Sequence, residues 1–519
     1  MLFNSYEFIL AFLPITLGVF LWLKRNAAGA LAVPWLAAAS LFFYGWWKPV
    51  YLLLIGTSIA VNYMAGLALG GVWPGGGRRP GPGARRWIAI GGVAFNLGLI
   101  GYFKYAGFLV ETVNAATGAG LSLGPVVLPL AISFFTFQQI AYVVDTYKGE
   151  PCETSLGRYA LFVSFFPQLI AGPVVRAQLV LPQFRRLSGR HWDERHLAVG
   201  LAMFGIGLVK KAVIADSVAA CANPVFAAAD AGASPDLLTA WSGALAYTFQ
   251  LYFDFSGYSD MAIGAALMFG VRLPLNFNSP YKARSISDFW RRWHMTLSAF
   301  LREYLYIALG GNRRGRVRRY ANLMTTMALG GLWHGAGWTF VAWGVLHGAY
   351  LCVNHGWNVL APRWLVRLRA YHLACWLATF LAVVAGWVLF RATSLAGAGR
   401  MLEGMLGLNG FALPAGLAAQ LGPLGAWLAA HGHSDPGLSG QQFVLAWSWI
   451  AVLLGVTTLC PNSQQILSRY RPALHIGQPP LRRPLAWRLS MGWAVASGVA
   501  FAVGLFALPR VSEFLYFQF

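Results

Sequence analysis

Apolar residues fall in blocks of about twenty along this chain, the length that carries a helix across a bilayer. The blocks lie near 6–23, 30–47, 50–71, 87–103, 125–146, 197–218, 238–268, 321–338, 341–357, 371–393, 443–460 and 488–509. The pattern predicts an all-α polytopic membrane protein with about 11–13 transmembrane helices. The run 158–175 is also apolar, but Pro167 and Pro173 interrupt it and a basic segment, Arg185 to His196, follows. A re-entrant or interfacial piece fits it better than a full crossing. The first block has no basic residue before it and no evident cleavage site, so it reads as a retained span.

Polar residues between the blocks sort by sign. The connections Gly75–Arg86, Arg185–His196, Arg272–Arg319, Arg363–Arg369 and Arg469–Arg488 are rich in Arg and Lys, which predicts a cytoplasmic position. Segments 105–124, 219–237 and 401–442 are read as outward-facing, the last with short surface helices, and both termini then fall outside. The Gly/Pro-rich stretch Pro74–Gly83 reads as a loop within one membrane domain spanning 1–519, with a core at about 125–360 and C-terminal helices over 361–519.

Composition agrees: of 519 residues 57% are hydrophobic and 11% charged, against about 25% charged in soluble domains. The net charge of +22 would suggest nucleic acid in a soluble protein. Here it sits in loops beside anionic lipid, so membrane lipid is the expected partner and nucleic acid is not. Five scattered cysteines with no CxxC spacing suggest neither a zinc site nor a disulfide framework, and no metal is expected.

Three polar constellations interrupt the apolar pattern. The first, Gln250 to Asp260, places Asp254, Ser256, Tyr258 and Asp260 inside a long span. Such groups need partners at that depth, either as the lining of a substrate path or as a network joining helices. The second runs from Asn276 through Asn278 to Tyr281 and on into an amphipathic stretch, Ile286–Leu309, read as a helix at the cytoplasmic interface. Its Arg291, Arg292 and Arg302 are candidates for gripping donor phosphates, or else for anchoring on anionic lipid; His294 is not required by an anchor. The third is His334, one imidazole among Gly330, Gly331, Gly335 and Gly337. A titratable ring there points to a cavity or a partner, and imidazole suits proton transfer near neutral pH. The glycines should weaken the helix and open it around a ligand. His347 and His355 follow on the same hairpin and rank lower; His372, His431, His433 and His475 lie near loops. A Ser-His-Asp hydrolase built on Ser256, Asp254 and His334 lacks the G-x-S-x-G elbow, and residues two apart do not share a helix face. A solute path stays open as a rival, although no inverted halves stand out.

Taken together, QLYFDFSGYSDMAIG at 250–264, Asn276 to Tyr281, FWRRWH ending at His294, LREYLYIALGGNR at 301–313 and GGLWHGAGWTF from Gly330 closely resemble bacterial membrane-bound O-acyltransferases. FNSYEFILAFLPI near the start, LIGYFKYAGF at 99–108, LIAGPVVR at 169–176 and the ending FLYFQF extend the resemblance, which is strongest to the alginate O-acetyltransferase branch. The segment ISFFTFQQIAYVVDTY at 132–147 differs in detail from that branch, which leaves the acceptor polymer open. The resemblance implies a ring of helices around a thinned centre with a tunnel, His334 as the catalytic imidazole and His294 as its companion. It also implies a donor thioester, most simply acetyl-CoA, with no bound cofactor. The acceptor would be an exopolysaccharide, reached directly or through a periplasmic acetyltransferase partner, at the bacterial inner membrane. D-alanyl transfer to an envelope glycan, and a non-enzymatic transporter or flippase, are the alternatives.

Overall fold

The computed structural model describes residues 1–519 except 27, 73–79, 171, 190–191, 432–438, 475–484, 509–514 and 516–519. His433, His475 and most of the loop 74–83 and of the ending FLYFQF lie outside the described residues. The described chain is helical, and an isolated bridge between Pro274 and Leu474 is its only β pairing. Six of its helices are long and apolar enough to cross a membrane: Glu7–Arg25, Tyr51–Gly70, Pro82–Thr117, Arg195–Asp230, Arg369–Arg391 and Gly440–Leu459. The chain is an all-α, multi-pass membrane protein, as the apolar blocks predict. Two helices run well past their expected ends. Pro82–Thr117 and Arg195–Asp230 are 36 residues each, about 54 Å at 1.5 Å per residue, so they continue through stretches read from sequence as loops. The interrupted run 158–175 forms two short helices, Leu156–Ser164 and Phe166–Leu169, broken at Phe165.

The chain divides into two compact units, each assembled from separate segments. The first comprises 1–208, 258–275 and 463–508. Its core is aromatic: Phe3, Phe8, Phe12, Phe43 and Phe166 pack ring on ring, and Phe3 stacks on Tyr258 with centroids 4.6 Å apart. Several polar groups inside it pair with one another. Asn62 and Asn96 exchange amide bonds between two helices. In the connection before Leu156 the buried carboxylate of Glu153 takes bonds from Arg158 and Arg185. Burial pushes that carboxyl up, but these bonds and the Ser155 N–H outweigh it and hold it below its ordinary range.

The second unit comprises 209–257, 276–462 and 509–519. Five helices matter below: α1 (Arg195–Asp230), α2 (Leu237–Met268), α3 (Arg316–His334), α4 (Trp338–Leu360) and α5 (Arg369–Arg391). The turn between α3 and α4 is only Gly335 to Gly337, so the two pack antiparallel over most of their length. Glycines let them touch: a Cβ on Gly331 would strike the Phe340 carbonyl, and one on Gly344 the Met327 carbonyl. This corrects the expectation that the glycines around His334 loosen the helix. The helix is intact through His334; Gly331 brings its partner close, while Gly330 sits against Leu301.

Candidate active site

His334 is the last residue of α3, where Gly335 turns the chain to an extended conformation. Its ring is buried and enclosed by Trp333, Trp343 of α4 and Phe390 of α5, with centroids at 4.9, 5.3 and 5.1 Å. The second imidazole arrives on a different kind of element. The stretch expected as one amphipathic helix is three pieces: Ile286–Trp290, Met295–Phe300 and a wider turn, Leu301–Tyr306. His294 sits at the break with φ 41° and ψ 53°, the left-handed region that costs a residue with a Cβ. That strain is held by neighbours. The Met295 N–H donates to the Asn276 carbonyl at 2.9 Å, and the Asn278 N–H to the Arg292 carbonyl at 2.9 Å. Ser285 caps the piece before it by accepting from the Asp288 N–H.

The break aims His294 inward. Its ring is fully buried, 6.3 Å from that of His334 between centroids, with Phe255 of α2 edge-on at 4.8 Å. Asn276 Oδ1 accepts from Thr296 Oγ1 at 2.9 Å and lies 3.1 Å from His294 Nδ1. The acceptor oxygen places the ring proton on Nδ1, which leaves Nε2 as a basic nitrogen. Nε2 has no partner among the described residues. Two imidazoles from distant sequence positions therefore share one buried, aromatic enclosure, close enough for a single substrate group to touch both.

A cavity of about 560 Å³ opens in the same unit, lined among others by Trp290, Leu301, Arg302, Arg319, Met327 and His355. Met327 is seven residues before His334 on α3, about 10 Å along the helix. Of the arginines expected to meet phosphates, Arg302 lines this cavity. Arg292 pairs instead with Asp288 at 2.9 Å, and Arg291 is exposed. Arg319, which the sequence reading passed over as one of many loop arginines, joins Arg302 there.

The polar run on α2 divides. Asp254 is buried against Lys211 Nζ at 2.6 Å, and Lys211 also reaches Asp216 at 2.8 Å. Lys211 stands in a wider turn of α1, Val209–Ala215, and was not singled out from sequence although a lysine inside an apolar block is itself a signal. The Ser256 hydroxyl is buried and has no partner among the described residues. Tyr258 and Asp260 belong to the other unit, where Tyr258 packs on Phe3 and Asp260 accepts from Ser463 at 2.7 Å. Asn278 receives the Asn462 amide at 3.3 Å beside the His294 loop. No group of three or more His, Cys, Asp or Glu side chains placed to hold a metal occurs among the described residues.

Comparison with known proteins identifies the family of the chain. Residues 152–395, which hold both histidines, match the model of the membrane-bound O-acyltransferase family. The chain is 45% identical to the probable alginate O-acetylase of Pseudomonas aeruginosa over 78% of its own length and 75% of that protein's. The chain belongs to the membrane-bound O-acyltransferase family. It is 44% identical to a peptidoglycan O-acetyltransferase of Helicobacter pylori, covering 80% of this chain and 81% of the relative. The probable alginate O-acetylase of Pseudomonas fluorescens aligns over 100% of both chains at 36% identity. This membrane-bound O-acyltransferase is thus an enzyme that moves acyl groups to oxygen, not a passive solute path.

Proposed function

We propose that the protein transfers an acetyl group from a cytoplasmic thioester, acetyl-CoA, to hydroxyls of an exported polysaccharide, directly or through a periplasmic acetyltransferase that relays it. The single observation that carries this reading is the pair of buried imidazoles 6.3 Å apart, in the same unit as a cavity walled by Arg302 and Arg319. The arginines attract the donor's phosphates. The thioester carbonyl then lies by His334. The acceptor hydroxyl approaches from the opposite face and donates its hydrogen bond to His334, while a second donor on the acceptor, such as a neighbouring sugar hydroxyl, bonds to Nε2 of His294 and aligns it. His334 takes the hydroxyl proton as the oxygen attacks the carbonyl carbon, the C–S bond breaks, and the imidazolium returns the proton to the leaving thiolate. The products are the O-acetyl ester and the free thiol. A buried enclosure strengthens each of these electrostatic contacts and keeps water from hydrolysing the donor.

The relatives act, by their names, on alginate and on peptidoglycan. Both polymers present sugar hydroxyls, and an exopolysaccharide such as alginate is the acceptor proposed here. The bacterial inner membrane, with the Arg-rich loops inside, is the proposed location. The test uses purified protein in lipid vesicles with radiolabelled acetyl-CoA outside and an alginate or peptidoglycan fragment inside. Stoichiometric thiol release and labelled glycan are expected with one of the two. Thiol release that appears only when a periplasmic acetyltransferase is added inside, with label on that protein or on its glycan, supports relay through a partner. No thiol release under any acceptor contradicts acetyl-CoA as donor.

A further inference from the structure

A second cavity lies in the first unit, away from any residue the transfer scheme uses. The helix Met491–Phe506, α6, packs along the opening half of α1, and both stretches belong to that unit. The two run parallel and touch closely at one end. A Cβ on Gly504 would stand 2.8 Å from Leu208, and one on Gly205 would stand 3.5 Å from Phe501. Toward the start of both helices the lining residues are small, Ala198 and Ala202 on α1 and Ala494 and Gly498 on α6, and a cavity of about 650 Å³ opens there. A Cβ on Gly498 would meet nothing within 4 Å. The groove has room where the contact at Gly504 has none.

Its walls are apolar and one end is basic. The lining runs on α6 from Met491 to Phe501, about 15 Å of helix, which is half of a hydrocarbon core of about 30 Å. Val495, Val499 and Val503 are exposed on the same helix, a surface suited to acyl chains. Arg488 lines the cavity just before α6 begins, and its guanidinium has no hydrogen-bond or ion-pair partner among the described residues. No Asp or Glu is among the described residues of the lining. Ser490 and Met491 line it as well, at a helix start whose backbone N–H groups favour an anion. Trp487 stands at the same level and donates its indole N–H to Ser497 Oγ at 3.0 Å, a placement typical of head-group depth.

We propose that this groove is a site for one anionic phospholipid of the bilayer, with its phosphate at Arg488 and an acyl chain laid between α1 and α6 as far as Phe501. An amphiphile with one anionic end and a chain of one leaflet's length matches both halves of the groove. A helix of a second copy would match the apolar walls and leave Arg488 without a counter-charge. The lipid belongs to the leaflet on the side of the Arg-rich connection 469–488, which charge bias predicts to be the cytoplasmic one. Once bound, it fastens α6 to α1 where their own side chains leave a gap.

The test titrates the delipidated full-length protein in detergent with phosphatidylglycerol and with phosphatidylcholine of identical chains, and reads the affinity of the first bound lipid by native mass spectrometry. Wild type should bind phosphatidylglycerol about fivefold or more tighter than phosphatidylcholine, as one basic side chain at an anionic head group warrants. Arg488→Gln should abolish that preference and Arg488→Lys should keep most of it. Gly498→Leu, which fills the groove without striking the protein, should weaken both lipids by about tenfold or more. Equal affinity of wild type for the two lipids overturns the proposal, as does Gly498→Leu binding both as wild type does. A wild type that doubles its mass without lipid, and a Gly498→Leu variant that does not, overturns it too by assigning the groove to a second copy of the chain.

Discussion

At the residue scale the two imidazoles have different supports, and that difference predicts different failures. His334 ends a helix and packs against Trp333, Trp343 and Phe390, and His334→Ala should remove proton transfer and little structure. A loss of about 10²–10⁴-fold in transfer is expected, the usual worth of general-base help, with normal folding by size-exclusion chromatography. His294 depends on Asn276, which fixes both its strained backbone and its tautomer. Asn276→Ala should therefore reduce turnover as His294→Ala does, and the double variant should be no worse than either. Additive losses in that cycle would separate the two residues. Asp254 answers to a different need. Its ion pair with Lys211 is buried on both sides, and stripping one partner from such a pair costs about 3–5 kcal/mol. Lys211→Met, which leaves Asp254 and Asp216 without their cation, should lower the melting temperature in detergent far more than Tyr258→Phe, which keeps its stacking on Phe3. Equal melting temperatures for these two variants would contradict that reading of Asp254 as an internal tie.

At the element scale the α3–α4 hairpin sets where His334 and His347 stand, and its glycines are graded in what they tolerate. Gly331 and Gly344 face backbone that cannot yield, so either changed to Ala should push the helices apart and lower folded yield. Gly330 meets only the tip of Leu301 at 3.0 Å and should be milder. Gly356 has open space around it, and Gly356→Ala should raise stability by up to about 1 kcal/mol through helix propensity. Thermal melts of the four variants in one detergent check the order; a destabilised Gly356→Ala would break it. The sequence carried the hairpin in outline: the two apolar blocks and the lone imidazole were legible, but the turn at Gly335 to Gly337 falls inside the first block, 321–338. What it could not carry was the reason for the glycines, because periodicity says nothing of a carbonyl arriving from the facing helix. The stretch after Ile286 shows the same limit. Its amphipathic spacing reads as one helix, and the break at His294 exists because Asn276 and Asn278, from a separate segment, bond the backbone there.

At the scale of the whole molecule, chemistry is set by which blocks the fold brings together. Charge bias predicts that the Arg-rich connections lie inside, and that orientation is testable. A cysteine at Ala231 should react with an impermeant thiol reagent from outside, and one replacing Arg313 should not. The reverse pattern would put the proposed donor cavity on the side where CoA is absent. Polar residues inside apolar blocks do not reveal their partners. Lys211 and Asp254 are 43 positions apart and nothing in their spacing joins them, whereas a helix pair does. Arg319 was hidden among other loop arginines until the cavity wall singled it out.

The central claim is that His334 and His294 together form the place where the acyl group changes hands. Single-turnover acetyl transfer, followed by rapid quench with donor and acceptor both saturating, tests it most directly because binding and release drop out. The account predicts a chemical step slowed by about 10²-fold or more in His334→Ala, a smaller slowing in His294→Ala, and no further slowing when both are changed. A chemical step in His334→Ala as fast as in wild type would contradict it.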